Sequence, residues 1–575
     1  MNIFNEGHHG RIFCRKKGVI HFLFAVIVLV WSVATIRYGF YVDENGLLSI
    51  YKGIYQGQHM FTDSWEALQT GGLLAYPLLA LYYQVLQPLF AQFSINVGLV
   101  LYMRYCYLIV KLLVAIYVYI TFRNSDFEDG AFPAALFFFL YVIDWKNFSY
   151  KSYCSIGLML IVCFIIRFYD NRKSIYAVLT AIAVCVMVLA YPTMIIMAVF
   201  LGAYWLYMVI KDEAHRAAFI GYIVTCLIIG IAVATYLQIT TGWGDIIAQL
   251  PNLGDQDYDD PMYIRLAKML AEYAVLAIVA YFPIVIIRIW DKIRGVEEET
   301  EKAILTIYFL LFMAAILLLR VDGISMSRFT YGGLIVFFWF PYFMREKEVS
   351  NYTRIGSYRN AGSESKEILW TIFIFSVVAQ LIWSISTNQG IAVPGLMSLY
   401  VVMAMILLFA KEDVEYRGMI SLLIILGLFF NGIWVADHNG GFETVFEPMY
   451  YVTDGELKGI ALPEDEYYIN ESVMKLLDEN VSSEDKLLVA FGANCAGYLN
   501  SDAWQGTYSV YARTHLNSKI IDYYNLNPDN MADYMLLDKG HDKYQYFVTN
   551  EAGQYLLNIY TNEIAKDGDI VLLGR

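Results

Sequence analysis

Acidic residues that follow an apolar segment are the first feature of this sequence that suggests chemistry. Asp43 and Glu44 come directly after an apolar run. A second pair of acidic residues, Asp63 and Glu66, lies further along the same segment together with Trp65. A carboxylate can take a proton from a hydroxyl group, and a tryptophan ring can stack on a sugar. These residues therefore predict a site for hydroxyl-bearing substrates beside a membrane, with Asp43 as candidate base. The alternative is that Asp43 and Glu44 only mark a helix end.

Positive charge suited to a phosphate group occurs at a later position. Arg320 and Arg328 flank a short loop between two apolar runs. Arginine donates hydrogen bonds to phosphate oxygens through a planar fork, so these two residues are candidate phosphate ligands. The alternative is that both side chains extend along an apolar surface to reach the membrane interface.

A divalent metal ion is the one cofactor that these residues suggest, although no spacing defines a metal site. Asp43, Glu44 or Asp63 would hold such an ion, with Asp63 and Glu66 otherwise available to bind the acceptor. His59, a lone histidine, is predicted to be an ordinary loop residue.

The composition indicates that membrane-spanning helices position these residues. Of 575 residues, 58% are hydrophobic and 16% charged, and the mean hydropathy is +0.49, which is too apolar for a water-soluble protein of this size. A helix needs about 20 apolar residues to cross the hydrocarbon core. The sequence has about thirteen such runs, with residues 174–210 divided at Pro192 because proline interrupts helices. The runs lie near 19–41, 98–120, 131–143, 152–168, 174–190, 193–210, 217–239, 265–289, 303–320, 329–344, 367–385, 395–410 and 418–435.

Loop charge predicts the orientation of these spans, because Lys and Arg accumulate on cytoplasmic loops. Alternate loops are rich in bases, among them the N-terminal segment 1–18 and the loop near Lys292. We therefore expect a plasma (inner) membrane protein with a cytoplasmic N-terminus and an extracytoplasmic C-terminal region. That region, 436–575, has 23 acidic and 9 basic residues, a net charge of −14, which argues against nucleic acid as a partner.

The segments outside the spans predict the rest of the architecture. The first outer loop, 42–97, contains a second apolar stretch at 73–93 that we interpret as an amphipathic element along the outer membrane surface. Residues 241–262 are predicted to form a mobile polar loop.

In the C-terminal region, 470–480 and 529–537 have helical patterns, whereas 486–491, 546–549 and 569–573 resemble strands. The predicted fold is an all-α polytopic membrane bundle, residues 19–435, with a small extracytoplasmic α/β domain.

At Asp43 and Glu44 the chain resembles the GT-C glycosyltransferases, which include the protein O-mannosyltransferases and the lipid A aminoarabinose transferases. In that family an acidic pair follows the first span, and a later acid, here Asp63 or Glu66, precedes a Pro-containing amphipathic stretch, here 75–83. The similarity extends loosely to 98–104 and 327–331. The Lys-Pro-Pro-Leu element of the aminoarabinose transferases is absent.

The resemblance implies an inverting enzyme that transfers a sugar from a polyprenyl-phosphate donor to a glycan or protein acceptor in cell-envelope assembly. Asp43 and Glu44 would be catalytic, and Asp63, Trp65, Glu66, Arg320 and Arg328 would bind substrates. Two other functions fit the same composition: a transporter or flippase of lipid-linked sugars, and a membrane protein that binds glycan without catalysis. A transporter more often shows repeated halves, which are not evident in this sequence.

Overall fold

A computed structural model describes residues 6–140, 146–253, 261–318, 327–350, 361–386, 390–391, 395–410, 448–490, 497–511 and 518–575. Most of the described chain up to residue 410 is helical. Its helices are α1 (Glu6–Ala34), α2 (Val42–Gln56), α3 (Gly72–Leu81), α4 (Gln87–Gln92), α5 (Leu99–Arg123), α6 (Ala131–Leu140), α7 (Tyr150–Asn171), α8 (Ile175–Ala190), α9 (Ile195–Lys211), α10 (Arg216–Thr240), α11 (Trp243–Gln249), α12 (Met262–Arg294), α13 (Glu298–Leu318), α14 (Ser327–Ser350), α15 (Ala361–Ile385) and α16 (Leu399–Ala410).

The helices confirm a multi-spanning membrane protein. Seven helical segments in the described part of the chain are long and apolar enough to cross a membrane. All but the last of the predicted runs coincide with a described helix, and the predicted break at Pro192 is present, since α8 ends at Ala190 and α9 begins at Ile195. The run at 418–435 lies outside the described residues. The total of about thirteen spans therefore stays a prediction.

The helices differ in how much of their surface is buried within the protein. Most of α7 is buried, and its N-terminus is capped by Ser149, whose hydroxyl accepts a hydrogen bond from the Ser152 amide. Helix α10 in contrast is mostly uncovered and exposes large apolar side chains such as Ile231 and Ile239. An apolar face of this kind suits contact with lipid tails.

A nearly continuous helix, Gln69–Gln92, follows the first acidic clusters. It contains α3, a π-helical turn and α4, and its length and composition alone would allow it to cross a membrane. Its beginning and its end, however, both lie beside the C-terminal region. Gln69 donates to the carbonyl oxygen of Ser64, next to Tyr508, and Tyr83 donates to Glu456. This arrangement supports the prediction of an element that runs along one surface.

Backbone hydrogen bonds join the first outer loop to the C-terminal region. The amide of Gly39 donates to the Ala461 carbonyl oxygen at 2.9 Å, and the Ala461 amide donates to Arg37 at 2.8 Å. The Gly98 amide, just before α5, donates to Lys458 at 2.7 Å. The two ends of the loop are therefore both held by a segment some 400 residues later in the chain.

The C-terminal region is the predicted α/β domain. A two-stranded antiparallel ribbon precedes a five-stranded sheet of order β4-β3-β5-β7-β6, in which β3 pairs in parallel with β4 and β5, and β7 pairs antiparallel with β5 and β6. The elements are β1 (Met449–Tyr451), β2 (Ala461–Pro463), α17 (Glu464–Asn480), β3 (Lys486–Val489), α18 (Gly497–Asn500), β4 (Trp504–Gln505), α19 (Lys519–Leu526), β5 (Tyr534–Asp538), α20 (Tyr544–Thr549), α21 (Glu551–Ile559), β6 (Asn562–Asp567) and β7 (Ile570–Gly574).

Two predicted elements of this domain are wrong, and both errors concern short apolar runs. Residues 529–537, predicted to be helical, contain a 3₁₀ turn followed by β5, whose buried apolar residues lie between β3 and β7. Residues 546–549, predicted to be a strand, belong to α20. Short apolar runs do not distinguish a buried strand from a helix, so tertiary packing decided both cases.

The segment 241–262 is also more ordered than predicted. It contains α11 and a 3₁₀ turn, and Gln249 lies between the first outer loop and the C-terminal domain. Its amide oxygen accepts from the Trp65 indole at 2.6 Å, and its amide nitrogen donates to Asn527 at 2.9 Å. The aspartates at 255–260 lie outside the described residues.

Candidate active site

Helix α2 positions Asp43 at the end of the bundle that contacts the C-terminal domain. Asp43 lies in the first turn of α2, nine residues after α1 ends, and its side chain is half-buried. The unpaired amides and the dipole at a helix N-terminus favour a negative charge there. Because the C-terminal domain packs along the same helix, this carboxylate lies at the boundary between the bundle and the domain.

Glu44, the next residue, lies on a different side of the helix and is fully buried. Its two carboxylate oxygens accept from Arg104 at 2.6 and 2.9 Å, and one of them also accepts from Asn147 at 2.7 Å. The Arg104 guanidinium also donates to the carbonyl oxygens of Ile36, Tyr38 and Gly39. One buried ion pair therefore joins the end of α1, the start of α2 and α5, and it leaves Glu44 no contact with solvent.

Glu66 approaches Asp43 from the far end of the acidic loop. Its carboxylate accepts a hydrogen bond from the Ser509 hydroxyl of the C-terminal domain. The pKa of Glu66 is raised to about 7, mainly by burial and also by the negative charge of Asp43, against the lowering effects of the Ser509 hydrogen bond and the Lys519 charge. The structure thus brings together Asp43 and Glu66, two of the predicted site residues, in different electrostatic environments.

Tyr511 closes the space above the two carboxylates. Its ring packs directly on Gly46 of α2, where an added Cβ would lie only 2.4 Å from the tyrosine Cε1. Burial raises the pKa of Tyr511 well above its usual value, and the charges of Asp43 and Glu66 raise it further. The phenol therefore keeps its proton and offers a hydrogen-bond donor beside two carboxylates.

Asp63 and Trp65, both predicted to bind substrate, are engaged in structural contacts. Asp63 accepts from the His59 amide at 2.7 Å and from Asn530 at 3.0 Å, which fixes the turn. Trp65 is 3% exposed and packs against Tyr508 and Tyr523. A buried indole does not offer a face to a sugar, so the stacking role predicted for Trp65 does not fit this geometry; its burial follows from contacts with a domain distant in sequence.

The structure gives less information on the predicted phosphate and metal ligands. Arg320 lies outside the described residues, and Arg328 lies in the first turn of α14, where only the backbone is described. Within the described residues, no three His, Cys, Asp or Glu side chains are grouped closely enough to hold a metal ion. Asp43, Glu44 and Asp63, all among the described residues, do not form such a group.

Several residues of the site were not predicted from sequence. Ser509, Tyr511 and Lys519 come from the C-terminal domain, in a segment with no distinguishing pattern. Lys146 and Asn147, which follow the predicted run at 131–143, are buried, and Lys146 donates to Thr35 at 2.5 Å. The sequence contained a signal for this position. Basic residues are rare in the predicted outer loops, so a lysine in such a loop suggests a specific structural or functional role.

Comparisons with known proteins give distant similarities. No family model and no curated protein matches the chain. Among solved structures, the archaeal oligosaccharyltransferase AglB from Archaeoglobus fulgidus, in complex with an inhibitory peptide and a dolichol-phosphate, is 11% identical; the match covers 95% of this chain and 72% of that one, with a TM-score of 0.43.

ArnT from Cupriavidus metallidurans matches over 97% of this chain and 98% of its own. The apo structure is 11% identical with a TM-score of 0.41, and the structure bound to undecaprenyl phosphate is 10% identical with a TM-score of 0.43. Because these TM-scores are below 0.5, function has to be inferred from the site itself. That site is a pair of carboxylates in different surroundings near Tyr511, at the end of the membrane bundle that contacts the C-terminal domain.

Proposed function

We propose that this chain is a membrane glycosyltransferase that transfers a sugar from a polyprenyl-phosphate donor to a hydroxyl group of an extracytoplasmic acceptor in cell-envelope glycan assembly. The observation that carries the proposal is the convergence of Asp43 and Glu66 at the junction of the bundle and the C-terminal domain. A lipid-borne donor presents its reactive phosphate at the membrane surface, which is where a helix that follows the first span begins.

Asp43 is the proposed base. Its carboxylate accepts the proton of the acceptor hydroxyl while the acceptor oxygen bonds to the anomeric carbon. The bond between that carbon and the phosphate oxygen breaks, and its electron pair leaves with the lipid phosphate. A single displacement of this kind inverts the configuration at the anomeric carbon. The half-buried position of Asp43 leaves it accessible for this step.

Glu66 and Tyr511 are proposed to prepare Asp43 for that role. With a pKa raised to about 7, Glu66 holds a proton at pH values below 7, where it adds no second negative charge beside Asp43. In such a pair the ionised carboxylate can act as the proton acceptor and the protonated carboxyl group as a proton donor. Glu44 is proposed to be a positioning residue, since its hydrogen bonds fix the first turn of α2.

The negative charge that develops on the leaving phosphate requires positive charge nearby. Arg320 and Arg328 remain the proposed ligands for it, on the grounds of their position in the sequence. Lys519 is a further candidate for this role, because its positive charge already acts on Glu66.

The test is a transfer assay on purified full-length protein with a panel of polyprenyl-phosphate hexoses and extracted envelope glycan as acceptor. We expect Asp43→Asn to lose about 10²–10⁴-fold in transfer rate, the usual contribution of a general base. Native mass spectrometry should show that this variant retains the bound carrier. The matched control is Asp522→Asn, an exposed aspartate in the first turn of α19.

Undiminished transfer by Asp43→Asn would contradict the assignment of the base. If neither the natural sequence nor any variant transferred sugar, while reconstituted protein moved lipid-linked sugar between leaflets, the protein would be a flippase and the proposed function would be wrong.

A further inference from the structure

One side of α11 is apolar and uncovered. Trp243, Ile247 and Leu250 recur at intervals of four and three residues, which places them on one stripe of the helix. Leu250 directly follows α11 and keeps helical backbone angles. The three side chains are 40%, 63% and 56% exposed, respectively. We call these three residues the α11 stripe.

The other sides of α11 are different in character. Successive residues of a helix point about 100° apart, so Ile246 and Gln249 share one flank, and both are buried. Asp245 lies on nearly the opposite side from the stripe and is exposed. The helix therefore has an apolar uncovered side and a charged exposed side, with a protein-covered flank between them. A helix that lies in a membrane surface and packs laterally on its own protein has this distribution.

The preceding span places α11 at a bilayer surface. The segment Glu213–Thr240, which contains α10, is long and apolar enough to cross a membrane, and it ends three residues before Trp243. The Trp243 amide donates to the Gln238 side chain at 3.1 Å, so α11 begins against the last turn of α10. Residues 217–244 contain no Asp, Glu, Lys or Arg. The exposed apolar surface of α10, which reaches Ile239 in its last turn, therefore continues along the chain into the α11 stripe.

A lipid surface fits the stripe better than a second protein chain does. Tryptophan is enriched where membrane and water meet, and Trp243 is the first residue of α11. A stable protein interface buries about 800 Å² on each partner, which is more than three partly exposed side chains provide. The stripe carries no charge, and the one charged residue of the helix, Asp245, lies on the side that would face water.

We propose that α11 lies in the bilayer surface on the side of the C-terminal domain, with the α11 stripe inserted at the boundary between lipid headgroups and acyl chains. On the protein-covered flank, Gln249 accepts a hydrogen bond from Trp65 of the acidic loop and donates one to Asn527 of the C-terminal domain. The helix therefore fixes the height of the loop and of the domain relative to the lipids. This contact goes beyond sugar transfer and does not depend on it.

The experiment measures what surrounds each side of α11. In a full-length chain whose own cysteines are replaced by serine, Ile247→Cys carries a fluorophore in nanodiscs of phosphatidylcholine and phosphatidylglycerol. Quenching is measured with iodide in the water and with lipids that carry a nitroxide near the top of the acyl chain. Asp245→Cys, two residues away and also exposed, is the matched control, and Ile231→Cys on α10 is the reference for the acyl region.

We expect the nitroxide lipids to quench the label at Ile247→Cys about threefold more strongly than iodide does, because a stripe of this kind is buried by roughly 5–10 Å. The order should be reversed for Asp245→Cys. Iodide quenching of Ile247→Cys as strong as that of Asp245→Cys would overturn the inference. Resistance to both quenchers would also overturn it, because a protein surface, such as a second copy of this chain, would then cover the stripe.

A second pair of variants tests whether the stripe holds the helix in the lipid. Leu250→Asp places a charge in the stripe, whereas Ala248→Asp places one outside it, and both positions are exposed, so neither change disturbs the packed core. With the label at Ile247→Cys, we expect Leu250→Asp to lower the quenching by nitroxide lipids about twofold, and Ala248→Asp to leave it unchanged. Equal quenching in the two variants would contradict a role of the stripe in membrane contact.

Discussion

At the scale of single residues, the site depends on two carboxylates that have the same chemistry and different surroundings. Asp43 lies half-buried at a helix N-terminus, whereas Glu66, which is also half-buried, accepts a hydrogen bond from Ser509. Residue type and position near a span were enough to predict both as site residues. The difference between them was not predictable, because it depends on Ser509 and Lys519, more than 440 residues later in the chain.

The raised pKa of Glu66 predicts a specific pH dependence of stability. Between its ordinary value near 4.5 and about 7, folded protein retains a proton that unfolded protein has released. Stability therefore falls as pH rises through that window, and the loss is complete above it. We expect Glu66→Gln, which has no charge to bury, to show a smaller fall in unfolding temperature between pH 5 and pH 8.

The measurement is thermal unfolding in detergent at both pH values. Glu484→Gln, an exposed glutamate in the turn before β3, is the control and should behave as the natural sequence does. Equal falls for the natural sequence and Glu66→Gln would show that this carboxyl is not buried in its protonated form.

At the scale of elements, the first turn of α2 is the part of the structure on which the site depends most. Sequence predicted the surrounding helices well, since long apolar runs and Pro192 leave few alternatives. It did not predict that Glu44 turns inward. Adjacent residues on a helix point in directions about 100° apart, so the sequence Asp43-Glu44 places only one carboxylate towards solvent.

The buried pair Glu44–Arg104 predicts a strong and non-additive effect on stability. Glu44→Gln leaves a buried guanidinium without its counter-charge, and Arg104→Met leaves a buried carboxylate, each at a cost of about 3–5 kcal/mol. In the double variant neither charge is left uncompensated. We expect its loss of stability to be smaller than the sum of the two single losses.

Denaturant or thermal unfolding of the four proteins provides the double-mutant cycle. The exposed pair Lys475–Asp567 is the control, and Lys475→Met should cost less than about 1 kcal/mol. Additive losses at Glu44 and Arg104 would mean that the two side chains do not interact in solution as they do here.

At the scale of the whole molecule, composition and hydropathy predicted a membrane bundle with a separate α/β domain, and the structure has both. They did not predict how the two parts meet. The Trp65 amide donates to Tyr508 at 2.8 Å, and the Gln505 side chain donates to Ser49 at 2.6 Å. Such contacts join segments that are far apart in sequence, and the hydrophobic periodicity of either segment alone does not predict them.

The loop charges predict an orientation that labelling can test. In a chain whose own cysteines are replaced by serine, a membrane-impermeant maleimide should label Asp522→Cys in intact cells. It should label Lys292→Cys, at the exposed end of α12, only after the membrane is permeabilised. Labelling of Lys292→Cys in intact cells would invert the predicted topology and place the site on the cytoplasmic side.

The hydrogen bond between Glu66 and Ser509 joins residues 443 positions apart. Asp43 and Glu66 are synthesised well before Ser509, Tyr511 and Lys519, which lie more than 440 residues later in the chain. A nascent chain therefore contains the acidic loop before it contains the groups that surround it. The site is complete only once the C-terminal domain has folded against the first loop, so a chain truncated before Ser509 would have both carboxylates without these contacts.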